Sequence, residues 1–374
     1  MENTLSEAKK ILVYRIGSLG DNLVAVPAIR AARAHFSGSR FFLLSDQQVG
    51  SRRVQGREIF EGSGFFESFL SYPYDSSRWG KWLQPTRLLR LALNLRRKKF
   101  DALIYFPPMG RPLPLVNRDK FFFRLAGIRQ IYGADIFTSL PNKMPGEPLP
   151  RVSQEGDYLL ARLKASGIPV PPEGQGDMDL NLGEREQKEL KMVLDRMSPD
   201  GGRPWIGVAP GAKQPVSLWP MERYREVVGR LVKERGVWPV VFGGDQERGM
   251  GESLIREWGS GYNLAGLLGV RASALAFQGC RLYLGNDTGT MHLAAAVKTP
   301  CVGVFSSHNY PGQWYPYGPG HREFRTVIEC EGCRLVDCVE KKMECILAIG
   351  VDEVTQACLE VLGRPTGGPG KNKS

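Results

Sequence analysis

The segment Gly285–Ala296, GNDTGTMHLAAA, joins the end of an apolar run to a run of alanines. Small and polar residues from Gly285 to Gly289 interrupt a strand pattern, and a helical pattern begins near Thr290. A strand that ends where a helix begins brings unpaired backbone N–H groups and the positive end of the helix dipole to one point. The segment therefore predicts an α/β fold with a turn that favours an anion.

The same strand-then-helix alternation runs through the whole chain. KILVYRI and SRFFLLSD read as strands in the first half, and PWIGVAP and WPVVFGG read as strands in the second half. Helical patterns separate them, which predicts parallel sheets built from βαβ units. A segment rich in proline and glycine, SGIPVPPEGQGDMDLNLGE, reads as a linker between two doubly wound domains.

We therefore predict two Rossmann-like domains, residues 1–182 and 183–362, that face each other across a cleft, followed by a disordered tail, 363–374. A second possibility is that the last helix packs back on the N-terminal domain. Ligands bind at the carboxyl ends of the strands in such sheets, and both glycine-bearing turns of the sequence fall there.

The charge of the chain is uneven. Of its 374 residues, 50 are Lys or Arg and 39 are Asp or Glu, for a net charge of +11. Residues 1–180 hold 26 of the basic and 17 of the acidic residues. A basic first half suggests an anionic partner such as a phosphorylated glycolipid or a membrane surface. The sequence contains no zinc-finger spacing or RNP motif, so nucleic acid is not expected as a partner. With no signal peptide and no membrane-spanning run, we expect a cytoplasmic protein.

The turn GSLGD, Gly17–Asp21, follows the first predicted strand. Its glycines allow the backbone to approach a ligand closely, and Asp21 could act as a base or complement a helix dipole. A dinucleotide-binding reading would make Asp46 the ribose-binding acid. That reading is disfavoured because Leu19 takes the place of the second glycine of G-x-G-x-x-G.

Two further loops in the second half point to a phosphorylated ligand. GAKQPVSLWP begins at Gly211 and carries Lys213, which could contact phosphate. GGDQE ends at Glu247, which could accept hydrogen bonds from a ribose or only cap a helix. Together with the Gly285–Gly289 turn, these loops point to a ligand with phosphate and ribose groups.

Taken together, RIGSLGDN, GAKQPVSLWP, VVFGGDQE and DTGTMHLAAA resemble glycosyltransferase family 9, the ADP-heptose:lipopolysaccharide heptosyltransferases. The resemblance runs from about residue 10 to about residue 360. It implies a GT-B fold and an inverting transfer, with no metal in the active site, of heptose from ADP-heptose to a phosphorylated lipopolysaccharide-core glycolipid. That acceptor implies peripheral association with the cytoplasmic face of the inner membrane.

The resemblance also assigns residues. Asp21 matches the catalytic base, with Ser18 and Gly20 beside it in the substrate site. Glu247 matches the ribose-binding acid, and Gly211 and Lys213 belong to the diphosphate loop. The residues that match the donor segment are Asp287, Thr288, Gly289, Thr290 and His292.

One position departs from the family pattern. Family members commonly read S-K-R-W-P before the helix, and the lysine stabilises the leaving diphosphate. Here Ser217 stands at that position. Either Lys213 and the amides at Thr288–Thr290 carry the leaving-group charge, or the donor preference or the activity has changed.

Four cysteines lie close together in the sequence, and a metal site is one possible role for them. The spacing C-x2-C-x4-C-x6-C could bind structural zinc or iron in a reducing compartment. The spacing is irregular, and no histidine lies inside it. The residues are Cys330, Cys333, Cys338 and Cys345.

Two basic segments, 87–99 and 120–124, could contact an anionic membrane. We expect their leucines and phenylalanines to pack in the core, because helices of this fold bury an apolar face on the sheet.

Two alternatives to heptose transfer stay open. A family member could use a different nucleotide sugar, or a protein or exopolysaccharide acceptor. A scaffold that binds a nucleotide sugar or a lipid and holds a metal in its cysteines would show binding without turnover.

Overall fold

The computed structural model describes residues 8–48, 54–74, 78–137 and 139–364. The chain divides into two compact units. The first comprises Met1–Asn142, Pro150–Leu182 and Gly312–Gly318, and the second comprises Lys143–Leu149, Gly183–Pro311 and Pro319–Ser374. Residues 365–374, most of the predicted tail, lie outside the described residues. None of the described helices is long and apolar enough to cross a bilayer.

The first unit is a parallel five-stranded sheet with the order β3-β2-β1-β4-β5. All of its strand pairs are parallel, as the alternating pattern predicts. The elements are β1 (Lys10–Tyr14), α1 (Leu19–Leu23), α2 (Val26–His35), β2 (Arg40–Gln48), α3 (Gly56–Phe60), β3 (Ser68–Tyr74), α4 (Arg78–Lys98), β4 (Ala102–Tyr105), α5 (Leu113–Leu125), β5 (Gln130–Tyr132) and α6 (Glu155–Ala165).

The second unit is a parallel six-stranded sheet with the order β11-β10-β9-β6-β7-β8. Two 3-10 turns, Pro215–Ser217 and Asp245–Glu247, follow β6 and β7. The elements are α7 (Glu184–Leu194), β6 (Trp205–Ala209), α8 (Met221–Arg235), β7 (Trp238–Val241), α9 (Arg248–Trp258), β8 (Tyr262–Asn263), α10 (Val270–Gln278), β9 (Cys280–Asn286), α11 (Gly289–Ala296), β10 (Cys301–Phe305), β11 (Arg322–Arg325), α12 (Glu344–Leu347) and α13 (Val351–Gly363).

The last helix, α13, lies in the second unit. It packs beside α8, and Val354, Cys358 and Val361 enter the same core as Val227 of α8. The apolar side of α13 therefore packs in the core of the second unit, and the second possibility, packing on the N-terminal domain, is not observed.

One face of the first sheet is covered by α4 and α5. Leu91 and Leu95 of α4 share a core with Val116 and Phe123 of α5. We expected the leucines and phenylalanines of segments 87–99 and 120–124 to pack in the core. This prediction is wrong for Leu89, Leu93 and Phe121. Five large apolar side chains of the two helices are exposed over 47% to 63% of their surface: Leu89, Leu93, Leu113, Phe121 and Leu125.

Candidate active site

Each sheet has one position where the order of its strands reverses. In the first unit this switch lies between β1 and β4, and in the second unit it lies between β6 and β9. Connections leave such a position in opposite directions, which opens a crevice at the carboxyl ends of the strands. The turn with Asp21 follows β1, and the turn with Asp287 follows β9, so each sequence-predicted turn stands at the switch of its own sheet.

In the first unit, Asp21 lies in the first turn of α1 and is partly exposed. Its Oδ2 accepts hydrogen bonds from the Ser18 backbone N–H at 2.8 Å and from the Ser18 hydroxyl at 2.9 Å. No hydrogen bond from the described residues reaches Oδ1. One oxygen therefore anchors the side chain, and the other remains able to accept a proton from a ligand.

Gly17 makes this arrangement possible. Its φ is +129°, and a Cβ at this position would lie 2.4 Å from Cγ of Asp21. Gly20 is in the first turn of α1, where its carbonyl accepts the Val24 N–H. The backbone N–H of Gly17 donates to Oδ1 of Asp46 at 2.9 Å. Asp46 therefore fixes the turn through this oxygen.

A buried ion pair lies behind the turn. Arg15 is fully buried, and its Nε donates to the Asp21 carbonyl at 2.7 Å. Its Nη1 donates to the Phe106 carbonyl at the end of β4 and lies 3.6 Å from Oε1 of Glu155. Burial raises the pKa of Glu155, and the positive charge of Arg15 opposes that rise. The guanidinium thus connects the turn that contains Asp21 to the neighbouring strand and to α6.

In the second unit, the side chain of Glu247 packs against two of the predicted loops. A Cβ on Gly211 would lie 2.8 Å from Glu247 Cγ, and a Cβ on Gly243 would lie 2.7 Å from Glu247 Cβ. Oε2 of Glu247 accepts the Gly244 N–H at 2.8 Å, as a helix-capping acid does. No described group donates a hydrogen bond to Oε1. Glu247 therefore combines the capping role with an oxygen that could receive a ribose hydroxyl.

Asn286, the last residue of β9, holds the loop after β6. Its Nδ2 donates to the Pro210 carbonyl at 2.7 Å, and its Oδ1 accepts the Trp219 N–H at 3.1 Å and the Tyr224 hydroxyl at 2.8 Å. Asn286 is fully buried. It therefore fixes both ends of the segment that carries Gly211 and Lys213.

Asp287 follows directly and has an unusual pKa. Burial raises the pKa of its carboxyl from 3.8 to about 7, against a hydrogen bond with Asn309 that lowers it. At neutral pH a large share of Asp287 is therefore protonated. A protonated carboxyl can donate a hydrogen bond to a phosphate or sugar oxygen, whereas a carboxylate would repel a phosphate.

Thr288 is the N-cap residue of α11, and Gly289 is its first residue. The hydroxyl of Thr290 lies 2.8 Å from that of Thr288 and 3.0 Å from that of Tyr283. The half-buried start of this eight-residue helix could present N–H groups and a hydroxyl pair to an anion. His292, one turn in, is only 3% exposed. Its contact with a ligand stays a prediction.

The loop after β6 contains both Lys213 and Ser217, the residue at the position of the family's lysine. Lys213 is exposed, whereas Ser217 is 3% exposed within a 3-10 turn. The neighbouring Val216 N–H donates to the Val336 carbonyl at 3.2 Å. The segment that contains the cysteines therefore packs on this turn. A long charged side chain at position 217 would have to leave that buried site.

The structure places the four cysteines of the possible metal site in different environments. All four are free thiols: Cys338 and Cys345 are buried, Cys330 is half-buried, and Cys333 is exposed. Burial and the neighbouring thiols raise the pKa of Cys330. Cys345 instead packs in the core, and its sulfur accepts the Ser307 N–H at 3.4 Å. In the described part of the chain, no three His, Cys, Asp or Glu side chains converge as metal ligands.

Sequence reasoning missed Arg15, Glu155 and Asn286. Arg15 had a signal, since it is a charged residue at the end of an otherwise apolar strand run, and a buried charge needs a partner. Glu155 had no local signal, because its partner lies 140 residues earlier in the chain.

Comparison with known proteins identifies the relatives. A family model described as glycosyltransferase family 9 (heptosyltransferase) matches residues 154–344. Lipopolysaccharide heptosyltransferase 2 of Salmonella typhimurium is 30% identical over 123 residues, which are 31% of this chain and 35% of that protein. Lipooligosaccharide heptosyltransferase 2 of Haemophilus ducreyi is 28% identical over 54% of this chain and 59% of that protein. The chain thus spans between about one third and three fifths of these curated relatives.

Solved structures show the same fold at lower identity. A family 9 glycosyl transferase from Veillonella parvula has a TM-score of 0.70 and 16% identity, covering 96% of this chain and 98% of that chain. E. coli ADP-heptose lps heptosyltransferase II has a TM-score of 0.65 and 18% identity, covering 94% and 98%. These likenesses and the two parallel sheets confirm the predicted GT-B fold of two Rossmann-like domains. Because the family model covers more than half of the sequence, the chain belongs to glycosyltransferase family 9.

Proposed function

We propose that this chain is an inverting glycosyltransferase that moves heptose from ADP-heptose to a phosphorylated glycolipid of the lipopolysaccharide-core type. The observation that carries the proposal is the Asp21 carboxylate, which is anchored through one oxygen and open at the other. In this proposal Asp21 removes the proton of the acceptor hydroxyl. That oxygen attacks the anomeric carbon from the face opposite the diphosphate, so the configuration inverts and ADP leaves.

The second unit would bind the donor. Glu247 would accept a ribose hydroxyl, and the start of α11, with Asp287, Thr288, Gly289 and Thr290, would receive the diphosphate. The exposed Lys213 would add positive charge in place of the lysine that Ser217 replaces. Protein groups would thus meet the charge of the leaving ADP, and the proposal assigns no catalytic metal. The name of the E. coli relative supports ADP-heptose as donor.

The positive first half supports a phosphorylated acceptor, and such a glycolipid would bring the protein to the cytoplasmic face of the inner membrane. The domain limits 1–182 and 183–362 remain our working division into acceptor and donor domains.

The test measures transfer and ADP binding in the same variants. Asp21→Asn should reduce transfer by about a thousandfold, because the amide accepts the Ser18 hydrogen bonds but cannot take the proton. Its affinity for ADP in calorimetry should stay at the wild-type value. Lys213→Ala should show the reverse pattern, a several-fold loss of ADP affinity. The exposed Glu173→Gln serves as the matched control.

Near wild-type transfer by Asp21→Asn would remove Asp21 from the role of base. A screen of ADP-, UDP-, GDP- and dTDP-linked sugars by thermal shift tests the donor. A larger shift with a donor other than ADP-heptose would contradict the assignment of the sugar nucleotide.

A further inference from the structure

The outer surfaces of α4 and α5 carry exposed apolar residues that the fold of the first unit does not use. Leu89 is 62% exposed and Leu93 is 47% exposed, one turn apart on α4. Phe121 is 63% exposed and Leu125 is 57% exposed, one turn apart on α5. Isolated exposed leucines are ordinary, but two pairs at a spacing of four residues form stripes.

Both stripes belong to the same layer of the unit. The inner sides of α4 and α5 meet in a single core, through Leu95 of α4 and Phe123 of α5, so the two helices cover one face of the sheet. Their C-terminal ends are adjacent, because Nη1 of Arg96 donates to the Leu125 carbonyl at 3.4 Å. The side chains that point away from the shared core therefore lie on one outer surface.

This surface is also basic. The two helices hold ten lysines and arginines and a single acid, Asp119. Asp119 is buried and accepts hydrogen bonds from Arg111, Arg118 and Tyr105. Its negative charge is therefore paired with arginines inside the unit. The outer surface combines apolar side chains with exposed cations such as Arg90, Arg97 and Arg124.

We propose that the outer surface of α4 and α5 docks on an anionic lipid bilayer, with Leu89, Leu93, Phe121 and Leu125 in the headgroup region and the arginines on lipid phosphates. Apolar residues interleaved with cations are what an interfacial helix uses to combine burial with electrostatic attraction. A second copy of the chain fits less well. A symmetric pair would bring two cationic surfaces together, and the arginines beside each leucine would interrupt a dry apolar centre.

The proposal rests on the proposed glycolipid acceptor, since docking would bring the enzyme to the membrane that contains it. The experiment therefore allows the docking proposal and the proposed function to fail independently of each other. Vesicle binding is measured with the full chain, without donor or acceptor. Transfer is measured separately, with a deacylated soluble acceptor.

The first measurement is co-sedimentation with vesicles of phosphatidylcholine alone or with about one third phosphatidylglycerol. The wild type should bind the anionic vesicles and bind the neutral vesicles weakly. The pair Leu89→Ser/Phe121→Ser should lower binding by about tenfold. The pair Arg90→Gln/Arg124→Gln should lower binding to the anionic vesicles by about fivefold for each arginine. It should also make that binding less dependent on salt. All four residues are exposed, so the melting temperature should not change.

The matched control is the pair Met192→Ser/Arg185→Gln on α7 of the second unit, where Met192 is 61% exposed. It should bind vesicles as the wild type does. Equal binding of anionic vesicles by the wild type and both α4/α5 pairs, or no binding by the wild type, would overturn the proposal. So would a wild-type dimer in sedimentation velocity that Leu89→Ser/Phe121→Ser converts to a monomer, because a second copy would then cover the surface.

Activity separates the two proposals. If docking is right, Leu89→Ser/Phe121→Ser keeps wild-type transfer to the soluble acceptor and loses transfer to the same acceptor in vesicles. If the wild type binds vesicles but transfers to no heptose acceptor, the proposed function fails and the docking surface stands.

Discussion

Single residues in this protein combine structural and chemical roles. Asp21 caps α1 with one oxygen and keeps the other open, and Glu247 does the same beside Gly211 and Gly243. A carboxylate has two oxygens that each accept hydrogen bonds, so a capping role does not exclude a ligand-binding role. The alternatives that the sequence left open for both acids, cap or site, are therefore compatible with each other.

Asp287 should make stability depend on pH. Its folded-state pKa of about 7 lies above its ordinary value of 3.8, so between these values the folded chain holds more protons than the unfolded chain. Stability should therefore fall as the pH rises through this range. Asp287→Asn, which cannot ionise, should melt at a higher temperature than the wild type above pH 7, and the difference should shrink towards pH 4.

Thermal melts across this pH range are the measurement. The exposed Glu234→Gln on α8 is the control and should show no such trend. A difference between wild type and Asp287→Asn that is the same at every pH would show that the carboxyl is not held in its protonated form.

At the scale of elements, buried polar side chains connect two of the candidate-site loops to a neighbouring strand. Asn286 of β9 holds the loop after β6, and Arg15 after β1 is bonded to the end of β4. Both links join adjacent strands at the switch position of their sheet. The geometry of the loops with Asp21 and Gly211 thus depends on buried polar bonds between strands.

Asn286→Ala should destabilise the protein by about 3 kcal/mol, because it leaves the Pro210 carbonyl, the Trp219 N–H and the Tyr224 hydroxyl without their buried partner. Tyr224→Phe removes one of these bonds and should cost about 1 kcal/mol. Denaturant unfolding gives both values. ADP affinity should also fall more in Asn286→Ala, since the Gly211 loop is released.

Tyr224→Phe acts as the matched control, because it leaves the loop bonds to Asn286 in place. Equal free energies of unfolding for the two variants would mean that Asn286 does not hold the loop.

At the scale of the whole molecule, charge is distributed unevenly along the chain. Most of the net charge of +11 lies in residues 1–180. The helices α4 and α5, with ten basic residues and one acid, account for the whole positive excess of residues 1–180. This half is therefore suited to anionic partners, and the second half is close to neutral.

Raising the ionic strength should therefore raise the KM for a phosphorylated acceptor, because mobile ions screen attraction between exposed charges. The same acceptor after removal of its phosphates is the control, and its KM should hardly respond to salt. Initial-rate kinetics at constant donor concentration provide the measurement. If both acceptors show the same flat response, the positive first half does not take part in acceptor binding.

The sequence by itself determined the alternation of strands and helices, the glycine-bearing turns at strand ends and the candidate residues within them. These features depend on residues close in the chain, where periodicity and backbone freedom act directly. Only the tertiary structure decided that Arg15 meets Glu155, that Asn286 holds the loop before Trp219, and that Cys345 enters the core. It also decided which leucines of α4 face the sheet and which remain outside. Such pairings follow from the order of strands in each sheet, which brings distant residues together and leaves no trace in local spacing.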